Sequence, residues 1–116
     1  MCEDRLRVYF VYNGEVMEIR IVTEVAEFIE SLDPTEKAKV LHSIDLLEMF
    51  GYRLGMPHSK KISGKIFELR THGKQAIRIL YAFHELGVVL LRGFIKKTDR
   101  ISKREIDTAQ LRLDMI

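Results

Sequence analysis

Acidic and basic side chains alternate with apolar ones in a segment that could bind and cleave a phosphodiester. Glu68 and Arg70 are two residues apart, and Arg78 follows in the next β-branched and aromatic stretch. Because side chains on a strand alternate between its two sides, Glu68 and Arg70 share one side. Lys96 and Lys97 end a third apolar stretch, so one lysine projects to each side. These residues predict a cluster of two arginines, a carboxylate and at least one lysine on one side of a small sheet.

Such a cluster suits cleavage of RNA by its own 2′-hydroxyl, a reaction that requires no metal. The reaction needs a base for the hydroxyl proton, positive charge on the phosphorane and a proton for the departing 5′-oxygen. Arginine binds phosphate oxygens in a bidentate manner, and a carboxylate, histidine or lysine can move the protons. The predicted catalytic residues are Arg78, Arg70, Lys97, Lys96, Glu68 and His84. His84 is included because alternation places it on the Arg78 side of its strand.

Further basic residues are predicted to contact RNA phosphates around this cluster. They are Lys60, Lys61, Arg92, Arg100, Lys103 and Arg104. The alternative is a solvated surface on which Glu68 and Arg70 only neutralise each other. Exposed ion pairs of that kind are common and contribute little to stability.

The charge of the chain is unevenly distributed. Residues 58–104 carry 12 Lys/Arg against 3 Asp/Glu, whereas residues 1–57 carry 6 against 11. Residues 105–116 carry 1 against 3, so the net charge of +2 conceals a strongly basic block. A block this basic favours a polyanionic partner, because lysines and arginines that meet phosphates release condensed counterions.

The composition fits one globular domain over residues 1–116, since 47% of the chain is hydrophobic and 31% is charged. The single cysteine, Cys2, cannot form an intrachain disulfide, and one cysteine with four scattered histidines predicts no metal site. The charged start of the chain lacks an apolar signal core, and no apolar run has the length of a membrane span. We therefore expect a cytoplasmic protein with no cofactor and no membrane contact.

The elements that must position the cluster begin with a β-hairpin over residues 5–21. Asn13-Gly14 provides the two positive-φ positions of a type I′ turn. The second strand is less clearly defined, because the same residues could lead directly into the following helix. That short helix is predicted over Glu24–Ser31, with Thr23 as its N-cap.

A second helix is predicted from Pro34 to about Phe50. Asp33 is placed to cap it, and Glu36 can reach back to the cap. Its predicted buried stripe consists of Leu41, Ile44, Leu47 (or Leu46) and Phe50. Gly51 is expected to end the helix.

The second half of the chain predicts a loop, three strands and a closing helix. Residues 51–64 are rich in turn formers and predict the loop. The strands are expected at Lys65–Thr71, Ala76–His84 and Val88–Lys97, with turns at Gly73 and Glu85-Leu86-Gly87. The closing helix spans Lys103–Met115, with a capping box of Ser102 and Glu105.

One side of the second of these strands is wholly apolar and aromatic, and this side is predicted to face the core. It consists of Ile77, Ile79, Tyr81 and Phe83. Arg78 is then expected on the opposite side, which the core leaves free. The order of elements predicts an α+β fold, in which helices pack on a small antiparallel sheet.

Several blocks of the sequence, in this order, resemble a known family. They are GMPHSKK (55–61), GKIFELR (64–70), RILYAF (78–83), LLRGFIKKT (90–98) and KREI (103–106). Together they resemble the HigB-like, phage-derived branch of the RelE/ParE toxin superfamily, over about residues 5–112. The resemblance implies a RelE-like fold, with two N-terminal helices on one face of a curved antiparallel sheet and a C-terminal helix.

The resemblance also implies an endonuclease of mRNA, often ribosome-bound, and a cognate antitoxin that is commonly a helix-turn-helix protein. Arg78 matches the strand arginine that contacts the scissile phosphate in RelE-type enzymes. Lys96 and Lys97 fall where those enzymes carry basic residues, and Arg70 matches a less constant basic position. Glu68 stands where relatives can place a lysine.

The sequence departs from the family pattern at two further places. Arg92 occupies a position that is often histidine in this branch. The closing helix has no tyrosine, although relatives can use one there. Two other functions on the same fold therefore remain open: a ParE-like toxin that blocks a protein such as gyrase, and a non-catalytic RNA-binding relative.

Overall fold

The computed structural model describes residues 5–12, 15–85 and 87–116, with side chains from Glu18 onwards. Cys2, the predicted Asn13-Gly14 turn and Leu86 of the second predicted turn lie outside the described residues. The described residues form an α+β fold with six strands and three α-helices, which confirms the predicted fold class.

The strands and helices follow one another in a simple order along the chain. They are β1 (Arg5–Tyr12), β2 (Glu15–Val22), α1 (Thr23–Ser31), α2 (Pro34–Phe50), β3 (Ser59–Ser63), β4 (Ile66–Thr71), β5 (Ile77–His84), β6 (Gly87–Ile95) and α3 (Lys103–Asp114). A 3₁₀ turn, Gly51–Arg53, follows α2. The loop predicted over residues 51–64 is therefore wrong in its second half, where β3 adds an edge strand.

The six strands form one sheet in the order β1-β2-β6-β5-β4-β3. The pairing is antiparallel throughout except between β2 and β6, where Ile19 lies opposite Val88 in a parallel pair. This parallel pair makes the sheet mixed rather than purely antiparallel. It arises because α1, α2 and three strands intervene between its two members.

Helices cover both sides of the sheet. On one side, Phe28 of α1 lies against Gly93, and Thr71 of β4 donates a hydrogen bond to Ser43 of α2. On the other side, Arg92 of β6 pairs with Glu105 of α3. The sheet is therefore the middle of three layers, and its central strands are apolar on both sides, as buried strands are.

This layering corrects the prediction that the core leaves one side of β5 free. The predicted core residues Ile77, Ile79 and Tyr81 are buried, but Leu80 and Ala82 on the opposite side are buried as well. The prediction was wrong because alternation along one strand shows which residues share a side. It does not show that a distant segment, here α3, packs on that side.

Helix α2 begins and ends as predicted. Asp33 Oδ1 accepts a hydrogen bond from the backbone N–H of Glu36 at 3.0 Å, and Gly51 forms the C-cap with a positive φ of 54°. The Glu36 side chain does not reach back to the cap. It is buried and accepts a hydrogen bond from the backbone N–H of Gln75, so it holds the β4–β5 turn against α2.

The buried stripe of α2 differs from the predicted one. Leu41 and Phe50 are 45% and 41% exposed, whereas Ile44 and Leu47 are buried as expected. The buried residues of the helix are Glu36, Val40, Ser43, Ile44 and Leu47. The buried face therefore keeps Ile44 and Leu47 but extends towards the start of the helix, where Glu36 and Ser43 make polar contacts with the sheet and its turn.

The caps of the other two helices also differ from the predictions. Val22, and not Thr23, occupies the N-cap position of α1. Ser102 occupies the N-cap position of α3, but Glu105 turns to Arg92 instead of closing a capping box. A charge-assisted bond of 2.6 Å to a distant strand replaces the expected local bond.

Replacement of Gly93 by alanine is expected to destabilise the contact between α1 and the sheet. A Cβ atom at this position would lie 2.5 Å from Cδ2 of Phe28, so the ring must move. Overpacking of this kind costs ~1–3 kcal/mol of unfolding free energy, which urea denaturation measures. Gly55→Ala is the matched control, because a Cβ atom there meets nothing within 4 Å. Equal stabilities of the two variants would contradict the described packing.

Candidate functional site

The predicted ionic cluster forms on strands β4 and β5. Arg70 and Arg78 lie directly opposite each other in the antiparallel pair, so their side chains share one side of the sheet. Glu68 lies between them: its Oε2 is 3.1 Å from Nε of Arg78, and its Oε1 is 3.8 Å from Nε of Arg70. We refer to these three residues as the Glu68 cluster.

The Glu68 cluster is more deeply buried than the sequence predicted. Residue exposures are 2% for Glu68 and 7% for Arg78, whereas the Arg70 side chain is 22% exposed. Buried charges are stable only when they are paired, because removing them from water is costly. The cluster is therefore an interior ion pair, Glu68–Arg78, that reaches solvent through Arg70.

The pKa of Arg78 is lowered overall, although its neighbours act on it in opposite directions. Burial lowers the pKa of Arg78, Glu68 raises it, and Arg70 lowers it again. An arginine side chain starts from so high a pKa that it remains protonated at neutral pH. Its Nη1 also donates to the carbonyl oxygen of Ile77 at 3.1 Å. These contacts fix the guanidinium plane beside Glu68.

The loop before β3 reaches the cluster through Arg70. Nη1 of Arg70 contacts the sulfur atom of Met56 at 3.4 Å, and the backbone N–H of Arg70 donates to the carbonyl oxygen of His58 at 2.8 Å. Met56 itself is largely exposed. The thioether therefore covers part of the Arg70 guanidinium from the solvent side.

Lysines 96 and 97 lie at the same end of the sheet as the cluster. Phe94 is opposite Arg78, and the backbone N–H of Lys96 donates to the carbonyl oxygen of Ala76 at 2.7 Å. Lys96 is thus about 7 Å along the strand from the residue opposite Arg78, and it is half-buried. Lys97 is exposed. Alternation from Phe94 places Lys96 on the side of the Glu68 cluster, and Lys97 follows it at the same end of the sheet.

His84 lies away from the cluster. It is six residues from Arg78 on β5, which is about 20 Å along a strand. Its Nε2 is 3.9 Å from a carboxylate oxygen of Glu85. Alternation shows that His84 and Arg78 are on the same side of β5. It does not show how far apart along the strand they are.

The predicted RNA-binding residues lie on the edge strand β3, on β6 and around the start of α3. Lys60 on the edge strand β3 lies opposite Glu68, and both Lys60 and Lys61 are exposed. Arg92 lies opposite Leu80, but Glu105 already binds it. Three basic residues are exposed before α3 or in its first turn: Arg100, Lys103 and Arg104. Lys103 pairs with Asp107 of the same helix.

Sequence reasoning did not identify a bond between Ser59 and Tyr81. Their hydroxyl oxygens are 2.5 Å apart, and both residues are buried beneath the helices. Burial raises the pKa of Tyr81 and the bond to Ser59 lowers it, so the phenol stays protonated at neutral pH. This tyrosine holds β3 to β5 and is not placed to exchange protons with a substrate.

Sequence reasoning also left three histidines without a role. His42, His58 and His72 all line one groove, together with Ser43 and Thr71. No signal in the sequence links them, because they lie on α2, before β3 and after β4. Among the described residues there is no group of three or more metal-ligating side chains.

Substitution of Glu68 by glutamine is expected to destabilise the fold strongly. Without the carboxylate charge, Arg78 is a buried cation beside a second arginine, and broken pairs of this kind cost ~3–5 kcal/mol. Urea denaturation measures the loss. Asp107→Asn removes an exposed ion pair with Lys103 and should cost far less. If both variants lost the same stability, the Glu68 cluster would not be an interior ion pair.

Comparison with known proteins gives one match. Residues 27–114 match the family described as phage-derived protein Gp49-like, and no curated protein matches the chain. The matched segment contains the second half of α1, all of α2, the Glu68 cluster and the two lysines. Within the described residues, no helix is long and apolar enough to cross a membrane. The chain therefore belongs to the phage-derived Gp49-like family, within the RelE/HigB-like toxin superfamily.

Proposed function

We propose that this protein is the toxin of a type II toxin–antitoxin system and that it cleaves mRNA without a metal. Membership of a toxin family implies an antitoxin partner. The observation that carries the nuclease proposal is the Glu68 cluster, in which one carboxylate lies within 4 Å of a guanidinium nitrogen of each of two arginines. Lys96 and Lys97 at the same end of the sheet add positive charge.

The arrangement supports a sequence of proton transfers on a bound RNA strand. Arg70 is the exposed member, so it meets the scissile phosphate first, and Arg78 then shares the phosphate oxygens. Glu68 accepts the proton of the 2′-hydroxyl, whose oxygen attacks the phosphorus. The bond to the 5′-oxygen breaks, and Lys96 donates a proton to that oxygen. The products are a 2′,3′-cyclic phosphate and a free 5′-hydroxyl.

Access to the buried groups requires a small movement at the edge of the site. Met56 contacts Arg70 from an exposed loop, and this contact has no ionic component. A phosphate on Arg70 gives a stronger bond than a thioether, because hydrogen bonds between charged groups are about twice as strong as neutral ones. RNA binding is therefore expected to displace Met56 and to open a path to Arg78.

The antitoxin is proposed to be a helix-turn-helix protein, and the message is proposed to be cut in the cytoplasm, either free or on the ribosome. The basic segment 58–104 supports a nucleic-acid substrate, since its positive charge attracts phosphates over a distance.

One observation favours a second function. Arg78 and Glu68 are nearly inaccessible, which is also how a purely structural ion pair would look. In that case the protein would act as a toxin on a protein target such as gyrase, and the exposed basic residues would bind that target. The two functions differ in what happens to mRNA.

Loss of the arginine contacts is expected to stop message cleavage. Arg70→Ala removes the exposed guanidinium, and Arg78→Lys keeps the charge that Glu68 needs but loses the bidentate geometry. Each should lower the cleavage rate by about 10²–10³, the usual effect of losing one transition-state contact. The measurement is mapping of mRNA 5′-hydroxyl ends after brief induction, with Arg53→Ala in the exposed 3₁₀ turn as control.

The same cultures separate the two functions. The nuclease proposal requires new message ends within minutes of induction of the native protein and of Arg53→Ala. Intact messages together with altered DNA supercoiling would establish the protein target instead. Folded Arg70→Ala and Arg78→Lys proteins that still cut at the native rate would remove the Glu68 cluster from the active site.

A further inference from the structure

The three histidines without a role border a groove on the α2 side of the sheet, opposite to the side that carries the Glu68 cluster. The groove has a volume of about 280 Å³ and lies between α2 and the segments that flank the β3–β4 hairpin. Its lining residues are Ala38, Lys39, His42, Ser43, Leu46, His58, Thr71 and His72. We refer to it as the histidine groove. Typical ligand pockets span ~300–1,000 Å³, so this groove suits one planar ring system rather than a larger molecule.

Imidazole rings stand on both walls of the histidine groove. His42 belongs to the α2 wall, and His58 and His72 form the opposite wall. The centroids of the His58 and His72 rings are 6.4 Å apart, and the ring planes meet at 72°. Nε2 of His72 lies 3.3 Å from the carbonyl oxygen of Pro57, which fixes that ring. Histidine rings are among the side chains on which nucleobases stack.

The floor of the groove offers hydrogen-bond acceptors. Ser43 Oγ lies 3.5 Å from the carbonyl oxygen of Arg70, and Thr71 Oγ1 lies 3.4 Å from Ser43 Oγ. A carbonyl oxygen only accepts, so Ser43 donates its single proton there and Thr71 donates its own to Ser43. The two hydroxyl groups therefore have lone pairs but no protons left for a ligand. They match a ligand that donates, such as an exocyclic amino group.

Arg70 joins the histidine groove to the Glu68 cluster. Its backbone N–H bonds to His58 on one wall, and its carbonyl oxygen accepts from Ser43 on the floor. Its side chain, in contrast, reaches Glu68. The end of β4 is thus shared between the two sites, although Arg70 and Thr71 lie on opposite sides of the sheet. The short loop from Met56 to His58 separates the sites, because Met56 contacts the Arg70 side chain and His58 lines the groove.

We propose that the histidine groove binds one nucleobase that carries an exocyclic amino group, from the RNA strand that the Glu68 cluster holds. This inference rests on the proposed function, because the ligand is the RNA substrate. The rings of His42, His58 and His72 stack on the base, and the hydroxyls of Ser43 and Thr71 accept from its amino group. Uracil has a carbonyl oxygen in place of that amino group and is disfavoured. The groove therefore determines sequence preference, while the cluster acts on the backbone.

Cytosine and uracil are the matched probes for this inference, because they share a ring size and differ in the amino group. The probes are fluorescein-labelled octamers of cytidine and of uridine with 2′-O-methyl riboses, which cannot be cleaved by their own 2′-oxygen. Fluorescence anisotropy gives the dissociation constants with the full-length native protein. We expect the cytidine octamer to bind about five- to tenfold more tightly, the contribution of one hydrogen bond that uracil cannot make.

Two variants test the two parts of the groove, each with a matched control. His42→Ala removes a ring and should weaken both probes about tenfold, the typical contribution of one stacked base. The control is Leu41→Ala at the neighbouring exposed residue of α2, which should change the affinity for neither octamer.

Thr71→Val replaces a hydroxyl acceptor with a methyl group of the same shape, and it should abolish the preference for cytidine. Thr108→Val in α3 should preserve that preference.

Each outcome supports or overturns a defined claim. Equal binding of both octamers to the native protein, or a preference that survives in His42→Ala and Thr71→Val, overturns the groove assignment alone. Binding of neither octamer overturns the groove assignment and removes the support for an RNA substrate as well. Loss of message cleavage in Arg70→Ala with intact cytidine preference supports both proposals, because Arg70 then serves the backbone chemistry and the groove recognises the base.

Discussion

The structure depends on one buried carboxylate held between two guanidinium groups. Glu68 and Arg78 have lost most of their hydration, so neither can be stable in the interior without the other. Their contact spans β4 and β5 and requires the register that places Arg70 opposite Arg78. The same register places Arg70 beside Glu68, at 3.8 Å, with 22% of its side chain exposed.

Much of the fold and of the site could be predicted from local rules. Asp33 and Gly51 mark the ends of α2, and alternation along β4 and β5 brings Glu68, Arg70 and Arg78 to one side. The failures all concern contacts between distant segments, which no local pattern specifies. Packing of α3 hides a side of the sheet that looked free, and Glu105 bonds to Arg92 instead of its own helix end. Three histidines meet in space although nothing in their spacing connects them.

The low polarity around the buried Glu68 cluster also determines how strongly it would bind a phosphate. A low-polarity surrounding strengthens every charge–charge contact of the Glu68 cluster, both with its own members and with an incoming phosphate. The cost is restricted access, since Arg70 is the most exposed member of the cluster and Met56 contacts it. A toxin of the Gp49-like family that acts on RNA would therefore select a strand that can bend into this opening. The exposed lysines of β3 and the end of β6 are placed to guide it.

The central claim is that the guanidinium groups of Arg70 and Arg78 bind an RNA phosphate together. The most direct measurement is ¹⁵N NMR of the arginine Nε–H groups during titration with a 2′-O-methyl oligonucleotide. The account predicts that the Nε–H resonances of Arg70 and Arg78 both shift, that they saturate at the same concentration, and that the Arg53 resonance stays in place. Saturable binding that leaves the Arg78 resonance unchanged would contradict it, because the cluster would then be structural only.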